Sequence, residues 1–250
     1  MTTFIVTLPI SYDNYAYLVV SGNDACVIDA SEAEPIQEYL DRHDLDLKMI
    51  LSTHHHGDHT GGNRKLKKTT GCVVIGGDRR IAEIDRTVKD RQKISDGPFT
   101  FECISVPGHT KGCCAYYLPE LHALFTGDTL FYAGCGRLFE GSAEQMYHSL
   151  NKINSLPPET AIYCGHEYTL DNLAFAQSVE PDNSAIGQRS AAIQALRSQR
   201  EPSGPASLSV ERATNPFLRT ASTTIRATLN LPDAPDELVF AGLRRLKDRF

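Results

Sequence analysis

No lysine or arginine precedes Arg42, so the chain lacks the basic region of a secretory signal and the arginine-rich character of a transit peptide. No apolar run approaches the ~18 residues needed to span a bilayer. These absences predict a cytoplasmic location and no membrane partner. No C-x-x-C pair occurs, and the seven cysteines (Cys26, Cys72, Cys103, Cys113, Cys114, Cys135 and Cys164) are odd in number. A disulfide framework and a zinc ribbon are therefore not indicated, and the thiols are expected to be reduced, buried small hydrophobes. Repeats at solenoid spacing and low-complexity segments are absent. An excess of positive charge is absent too, since the net charge of −6 argues against a nucleic-acid partner. A monomer is the expected state.

What remains is an ordinary folded composition, 41% hydrophobic and 22% charged over 250 residues. That length accommodates a core domain of about 150 to 180 residues with a smaller appendage. Up to residue 169 the chain carries 15 basic and 22 acidic side chains, and after it 10 and 9. The tail is therefore the part that better tolerates an anionic ligand.

Short β-rich runs separated by turns fill the first part, as in Ala16-Tyr17-Leu18-Val19-Val20, a Ser21-Gly22-Asn23-Asp24 turn, and Cys26-Val27-Ile28. Glu34 to His43 reads as a helix, and Lys48 to Ser52 as a buried strand. The logic repeats with strands at Phe99 to Val106, Ala115 to Leu118 and Ala123 to Phe125, a helix at Ala143 to Ser155, and a strand at Ala161 to Cys164. Sheets with helices outside them satisfy this pattern, an α+β chain with a layered α/β/β/α sandwich. After Tyr168 strand signals nearly vanish. Ala185 to Arg200 and Asp236 to Phe250 read as helices, the latter with a Val239, Leu243, Leu246, Phe250 stripe. The expected domains are 1–169, catalytic, and 170–250, small and helical.

The most informative stretch is Thr53-His54-His55-His56-Gly57-Asp58-His59, which crowds imidazoles and a carboxylate just after a strand. Alternate side chains of an extended backbone share a side, so His54 and His56 can grip one ion. Asp58 and His59, where the chain turns into a helix, can reach a second; His55 points away. Further candidates are His109 in Pro107-Gly108-His109-Thr110, Asp128 in Thr126-Gly127-Asp128-Thr129 and His166 in Cys164-Gly165-His166-Glu167, each in a turn beside a strand. Imidazole and carboxylate donors suit zinc, iron or manganese. Asp29, read alone, is a turn cap.

This donor set resembles that of the metallo-β-lactamase superfamily. The resemblance implies two divalent metal ions, most readily zinc with iron or manganese as alternatives. It implies His54, His56 and His109 on the first ion, Asp58, His59 and His166 on the second, and Asp128 bridging them. It also implies a catalytic role for Asp58 in orienting a bridging hydroxide, with Asp29 supporting the ligands from behind.

The run from Thr126 to Gly141, with Cys164 to Thr169, Asn215 to Arg219, Lys247 to Phe250 and Asn14-Tyr15, is similar to glyoxalase II, the hydroxyacylglutathione hydrolases. That likeness covers essentially the whole chain. It implies hydrolysis of S-2-hydroxyacylglutathione thioesters, S-D-lactoylglutathione giving glutathione and D-lactate, by a hydroxide bridging the two metals. This is the second step of methylglyoxal detoxification. It implies that glutathione is held by Tyr168, by Arg137 through its backbone, and by Arg244 and Lys247, which are one helical turn apart. Phe139 stands where some members carry tyrosine, so a hydroxyl contact is absent there. A persulfide dioxygenase of the same fold, with one iron and usually no helical tail, is the nearest alternative. Asp58, His59, His166 and the tail argue against it.

Overall fold

The computed structural model describes residues 2–250; residue 1, where the expected first domain begins, lies outside them. The chain falls into two units. One runs to Ser105 and adds Gly112–Gly127 and Cys164–Glu167; the other comprises Val106–Lys111, Asp128–Tyr163 and Tyr168–Phe250.

In the first unit, β1 (Thr3–Ile10), β2 (Asn14–Ser21), β3 (Asp24–Ile28), β4 (Asp46–Ser52), β5 (Val73–Gly76) and β6 (Arg86–Thr87) form one sheet in chain order. The first three strands pair antiparallel and the rest parallel. Parallel neighbours need a crossover, supplied between β3 and β4 by α1 (Ala33–His43). Ile36 and Leu40 of α1 pack with Leu18, Val27, Ile50 and Val74. Each such side chain contributes ~1.5–3 kcal/mol when fully buried. The helix α2 (Gly57–Thr60) is one turn, and α3 (Asn63–Thr70) places Leu66 in the same core.

Alternate residues of β2 face the other way, where Tyr17 meets Phe125 at 5.5 Å between ring centroids. Phe125 belongs to a second set of strands, β7 (Lys93–Asp96), β8 (Phe99–Ser105), β9 (Cys114–Leu118) and β10 (Ala123–Gly127), paired antiparallel. Both faces of the first sheet are therefore covered. That is why Met49-Ile50-Leu51 is a continuous apolar run.

The second unit contains the hairpin β11 (Leu130–Phe131) and β12 (Gly134–Cys135), α4 (Ala143–Asn154), the paired β13 (Ala161–Cys164) and β14 (Ala206–Ser207), and a helical tail. The tail comprises α5 (Thr169–Val179), α6 (Ser184–Ser198), α7 (Leu208–Thr214), α8 (Thr223–Thr228) and α9 (Asp236–Lys247). Helix α4 starts on a capping box, Ser142 with Gln145. Leu173 and Ala176 of α5 pack with Ile186 and Ile193 of α6.

The last helix is shorter than its apolar stripe suggests. It ends at Lys247; Val239 and Leu243 are buried, whereas Leu246 and Phe250 are exposed. Phe250 leaves the helix because its ring lies against Phe175 and the Lys247 ammonium. All seven cysteines are buried thiols outside any disulfide. Among the described residues no helix is long and apolar enough to cross a membrane.

Candidate metal centre and substrate pocket

In the first unit the donors cluster where β4 ends. His59 Nε2 and His166 Nε2 lie 3.2 Å apart, with Asp58 Oδ2 3.7 Å from the first and 3.4 Å from the second. The opposite ring nitrogens are committed elsewhere. His59 Nδ1 is 3.0 Å from Asp29 Oδ2, and His166 Nδ1 is 2.9 Å from Asp13 Oδ1. A carboxylate accepts only, so each Nδ1 carries a proton, and each Nε2 is aimed at the other ring and at Asp58. Asp58, His59 and His166 thereby bring together ligand atoms that could hold one metal ion.

The spacing fits such a cation. Nitrogens ~2.0–2.1 Å from a tetrahedral zinc stand about 3.3–3.4 Å apart. His54 Nε2 and His56 Nδ1 are likewise 3.0 Å apart. His55 is turned away, its Nδ1 3.7 Å from Asp78 Oδ2, as expected for a residue outside the donor set.

Asp29 does more than cap a turn. At φ 55° it sits in the left-handed region, which a non-glycine residue occupies only where its surroundings enforce it. Its buried carboxylate accepts from Thr53 N and Thr53 Oγ1, both at 2.7 Å, as well as from His59. One side chain thus sets both the loop that starts the histidine run and the ring that ends it. Gly127 lies beside that loop, at φ 48°, where a side chain would collide with Thr53.

In the second unit His109 and Asp128 are arranged in the same way. His109 Nδ1 donates to the Arg137 carbonyl at 2.8 Å, leaving Nε2 3.4 Å from Asp128 Oδ2. Gly136 packs against the Asp128 carbonyl so closely that no side chain fits. The Phe139 ring stands edge-on to His109 at 5.1 Å, and its backbone N–H donates to the His109 carbonyl.

His109 and Asp128 line a cavity of about 600 Å³, together with Arg137, Phe139, Tyr168, Arg244 and Lys247. Every substrate-contact residue expected from the sequence is in its wall. The sequence did not single out Phe131, Cys135, Asp171 and Asn172, which line it too. Three cations against Asp128 and Asp171 suit an anionic ligand. Tyr168, the residue just before α5, sets its ring edge-on to Phe131 at 5.3 Å.

The two cations of α9 are used differently. Arg244 is buried, donating to the Cys135 carbonyl at 2.8 Å and to Asp248 at 3.0 Å, with its guanidinium 5.3 Å from the Phe217 ring centroid. Lys247 is half-buried, 3.1 Å from the Asp171 carbonyl. Its ammonium lies 5.3 Å from the Phe175 centroid and 5.0 Å from that of Phe250. Burial lowers its pKa below the usual lysine range; Asp171 opposes the shift, while Arg244 and Arg137 add to it. The two side chains therefore do not reach equally for one carboxylate, because Arg244 already holds the hairpin.

That hairpin, which supplies Phe131 and Cys135 to the cavity, is tied down by several residues of the tail, and the Tyr132 hydroxyl donates to the Ile162 carbonyl of β13 at 3.0 Å. Asn172 donates to the Tyr132 carbonyl at 3.1 Å, and Asn215 to the Phe131 and Gly134 carbonyls at 3.2 and 2.9 Å. Glu211 accepts from Ala133 N at 2.8 Å and pairs with buried Arg189. Ala133, at φ 56°, needs that restraint.

Comparison with known proteins agrees with this architecture. The family model of the metallo-β-lactamase superfamily matches residues 12–166, and that of the hydroxyacylglutathione hydrolase C-terminus matches residues 167–250. The chain is 48% identical over 243 residues to the hydroxyacylglutathione hydrolase of Brucella ovis, covering 95% of each. Among solved structures, ETHE1 from Myxococcus xanthus matches with a TM-score of 0.68 at 25% identity, over 98% of each chain. The BLEG-1 B3 metallo-β-lactamase shares the fold, with a TM-score of 0.68 at 24% identity over 86% of this chain and all of that one.

Proposed function

The chain belongs to the hydroxyacylglutathione hydrolases of the metallo-β-lactamase superfamily, and from that premise we propose which residues carry the reaction. It has the superfamily's sandwich followed by a helical C-terminal part, and its activity is hydrolysis of 2-hydroxyacyl glutathione thioesters. We assign His54, His56 and His109 to one divalent metal and Asp58, His59 and His166 to a second, with Asp128 between them. Zinc is the metal that suits these donors and their spacing best, with iron or manganese accepted by the same ligands.

When bound, two such ions supply a water-derived nucleophile at neutral pH and polarise the carbonyl it attacks. The protein's own part is to orient and to bind. The Asp58 carboxylate would accept a hydrogen bond from the attacking oxygen and so turn its lone pair toward the thioester carbon. Asp29 holds His59 by Nδ1 and so aims its Nε2 toward His166 and Asp58. Lys247 takes a glutathione carboxylate, Tyr168 and the Arg137 backbone hydrogen-bond the peptide, and Arg244 sets the Cys135 strand against it. Phe139 contributes a ring rather than a hydroxyl. The leaving thiolate, with a conjugate-acid pKa of ~8.5, departs without a general acid.

The substrate we favour is S-D-lactoylglutathione, giving glutathione and D-lactate in the second step of methylglyoxal detoxification. We place the enzyme in the cytoplasm as a monomer, with a catalytic domain over 1–169 and a helical domain over 170–250 that adds Arg244 and Lys247 to the glutathione site. The observation that carries the metal reading is the convergence of ligand atoms from Asp58, His59 and His166, with the two Nε2 atoms 3.2 Å apart beside the Asp58 carboxylate. Metal analysis of purified wild type and Asp128→Ala, alongside turnover of S-D-lactoylglutathione, tests it. Metal content and turnover should fall together in the variant; full metal content would remove Asp128 from the ligand set.

A further inference from the structure

His59 and His166 are built alike, each with Nε2 turned to the other and Nδ1 held by a carboxylate. For His59 that carboxylate is Asp29. For His166 it is Asp13, from the turn between β1 and β2, about 150 residues away in the chain. We propose that Asp13 is a positioning residue for the second metal, fixing the tautomer and the aim of His166, at the start of a segment that braces both His166 and Asp58. The proposal rests on the assignment of His166 as a ligand.

Further bonds make Asp13 and the start of β2 a brace rather than a chance neighbour. The Asp13 carbonyl accepts from Glu167 N at 2.8 Å, and Tyr15 N donates to the Gly165 carbonyl at 2.9 Å, so His166 is bracketed on both sides. The Tyr15 hydroxyl donates to Glu167 Oε2 at 2.5 Å. Between them, Asn14 Nδ2 donates to the Asp58 carbonyl at 3.0 Å, and Ser31 Oγ donates to that same carbonyl. Asn14 Nδ2 also lies 3.4 Å from Asp58 Oδ2. Asn14 is buried although its strand begins there. A run of three residues, Asp13-Asn14-Tyr15, thus holds one ligand by its far ring nitrogen, its backbone neighbours, and a second ligand by its carbonyl.

Losing a carboxylate behind a ligating histidine costs about 10- to 100-fold in metal affinity. The test is zinc titration of the full-length protein against a competing chelator, with metal per chain measured in wild type, Asp13→Ala and Asp13→Asn. Wild type should hold two equivalents. Asp13→Ala should hold one as tightly and release the other at about 10- to 100-fold lower chelator strength. Asp13→Asn, whose amide oxygen still accepts from Nδ1, should lie within a few fold of wild type.

Long-range proton–nitrogen NMR of the metal-free wild type supplies a reading that requires neither metal nor a folded alanine variant. His166 should carry its proton on Nδ1. Two tightly held equivalents in Asp13→Ala, equal losses in both variants, or a proton on Nε2 of His166 would overturn the proposal. A wild type holding fewer than two equivalents would instead refute the binuclear assignment, with the NMR result still deciding the role of Asp13.

Discussion

Lys247 offers the sharpest separation of binding from chemistry. Its ammonium sits in the cavity wall between two aromatic rings and beside the Asp171 carbonyl. An exposed ion pair is worth ~0.2–1 kcal/mol, whereas breaking a buried one costs ~3–5 kcal/mol. A half-buried lysine that meets a carboxylate only in the complex falls between these, at about 1.5–2.5 kcal/mol. Since ~1.4 kcal/mol is tenfold, Lys247→Ala should raise KM about 10- to 70-fold. The carboxylate it grips lies away from the reacting carbon, so kcat should change less than about twofold.

The pH dependence follows from the lowered pKa. Binding needs the charged form, so affinity is complete at neutral pH and is lost as pH rises through the depressed lysine pKa. The wild-type KM should therefore climb at lower alkaline pH than an ordinary lysine would dictate, and Lys247→Ala should lack that climb. Initial rates from the decay of thioester absorbance, taken from neutral to alkaline pH, measure both quantities. An unchanged KM, or a loss in kcat at constant KM, would refute the placement of glutathione.

Glu211→Ala should destabilise the protein by ~3–5 kcal/mol in urea unfolding, because it strands buried Arg189. A loss below about 1 kcal/mol would mean that the hairpin does not depend on this pair. Burial tends to raise the pKa of Glu180, but hydrogen bonds from Arg219, Ser222 and Asn183 outweigh it and leave the pKa lowered. A carboxylate lowered on folding stabilises above its unfolded pKa and loses that contribution as pH falls through the folded one. Glu180→Gln should therefore weaken the protein at neutral pH and flatten the acidic side of its stability profile. Parallel stability profiles of wild type and variant would contradict this.

The chemistry was legible where it is local. His54 to His59 lie within one strand end and one helical turn, so residue type and spacing alone expose them, and glycine-containing turns mark His109, Asp128 and His166. What depends on distant partners was hidden. Asp13 reads as an ordinary turn aspartate until the chain brings His166 to it. Asn215 lies in a run that carries the family likeness and Glu211 just before it, but nothing local to either shows that they hold a hairpin some 80 residues earlier. Helix α5 escaped notice because its buried residues, Leu173, Phe175, Ala176 and Val179, do not form one stripe. Arg244 reads as a surface cation because i, i+3 spacing says which residues share a face, not which of them is buried.

The central claim, a metal-dependent hydrolysis of a glutathione thioester, is tested by one measurement. The protein is stripped with chelator, and the thioester absorbance of S-D-lactoylglutathione is followed before and after two equivalents of zinc are restored. The stripped protein should leave the absorbance unchanged, and zinc should restore its decay with release of one free thiol per thioester lost. Undiminished decay in the stripped protein, or an intact thioester after metal is restored, would contradict the account.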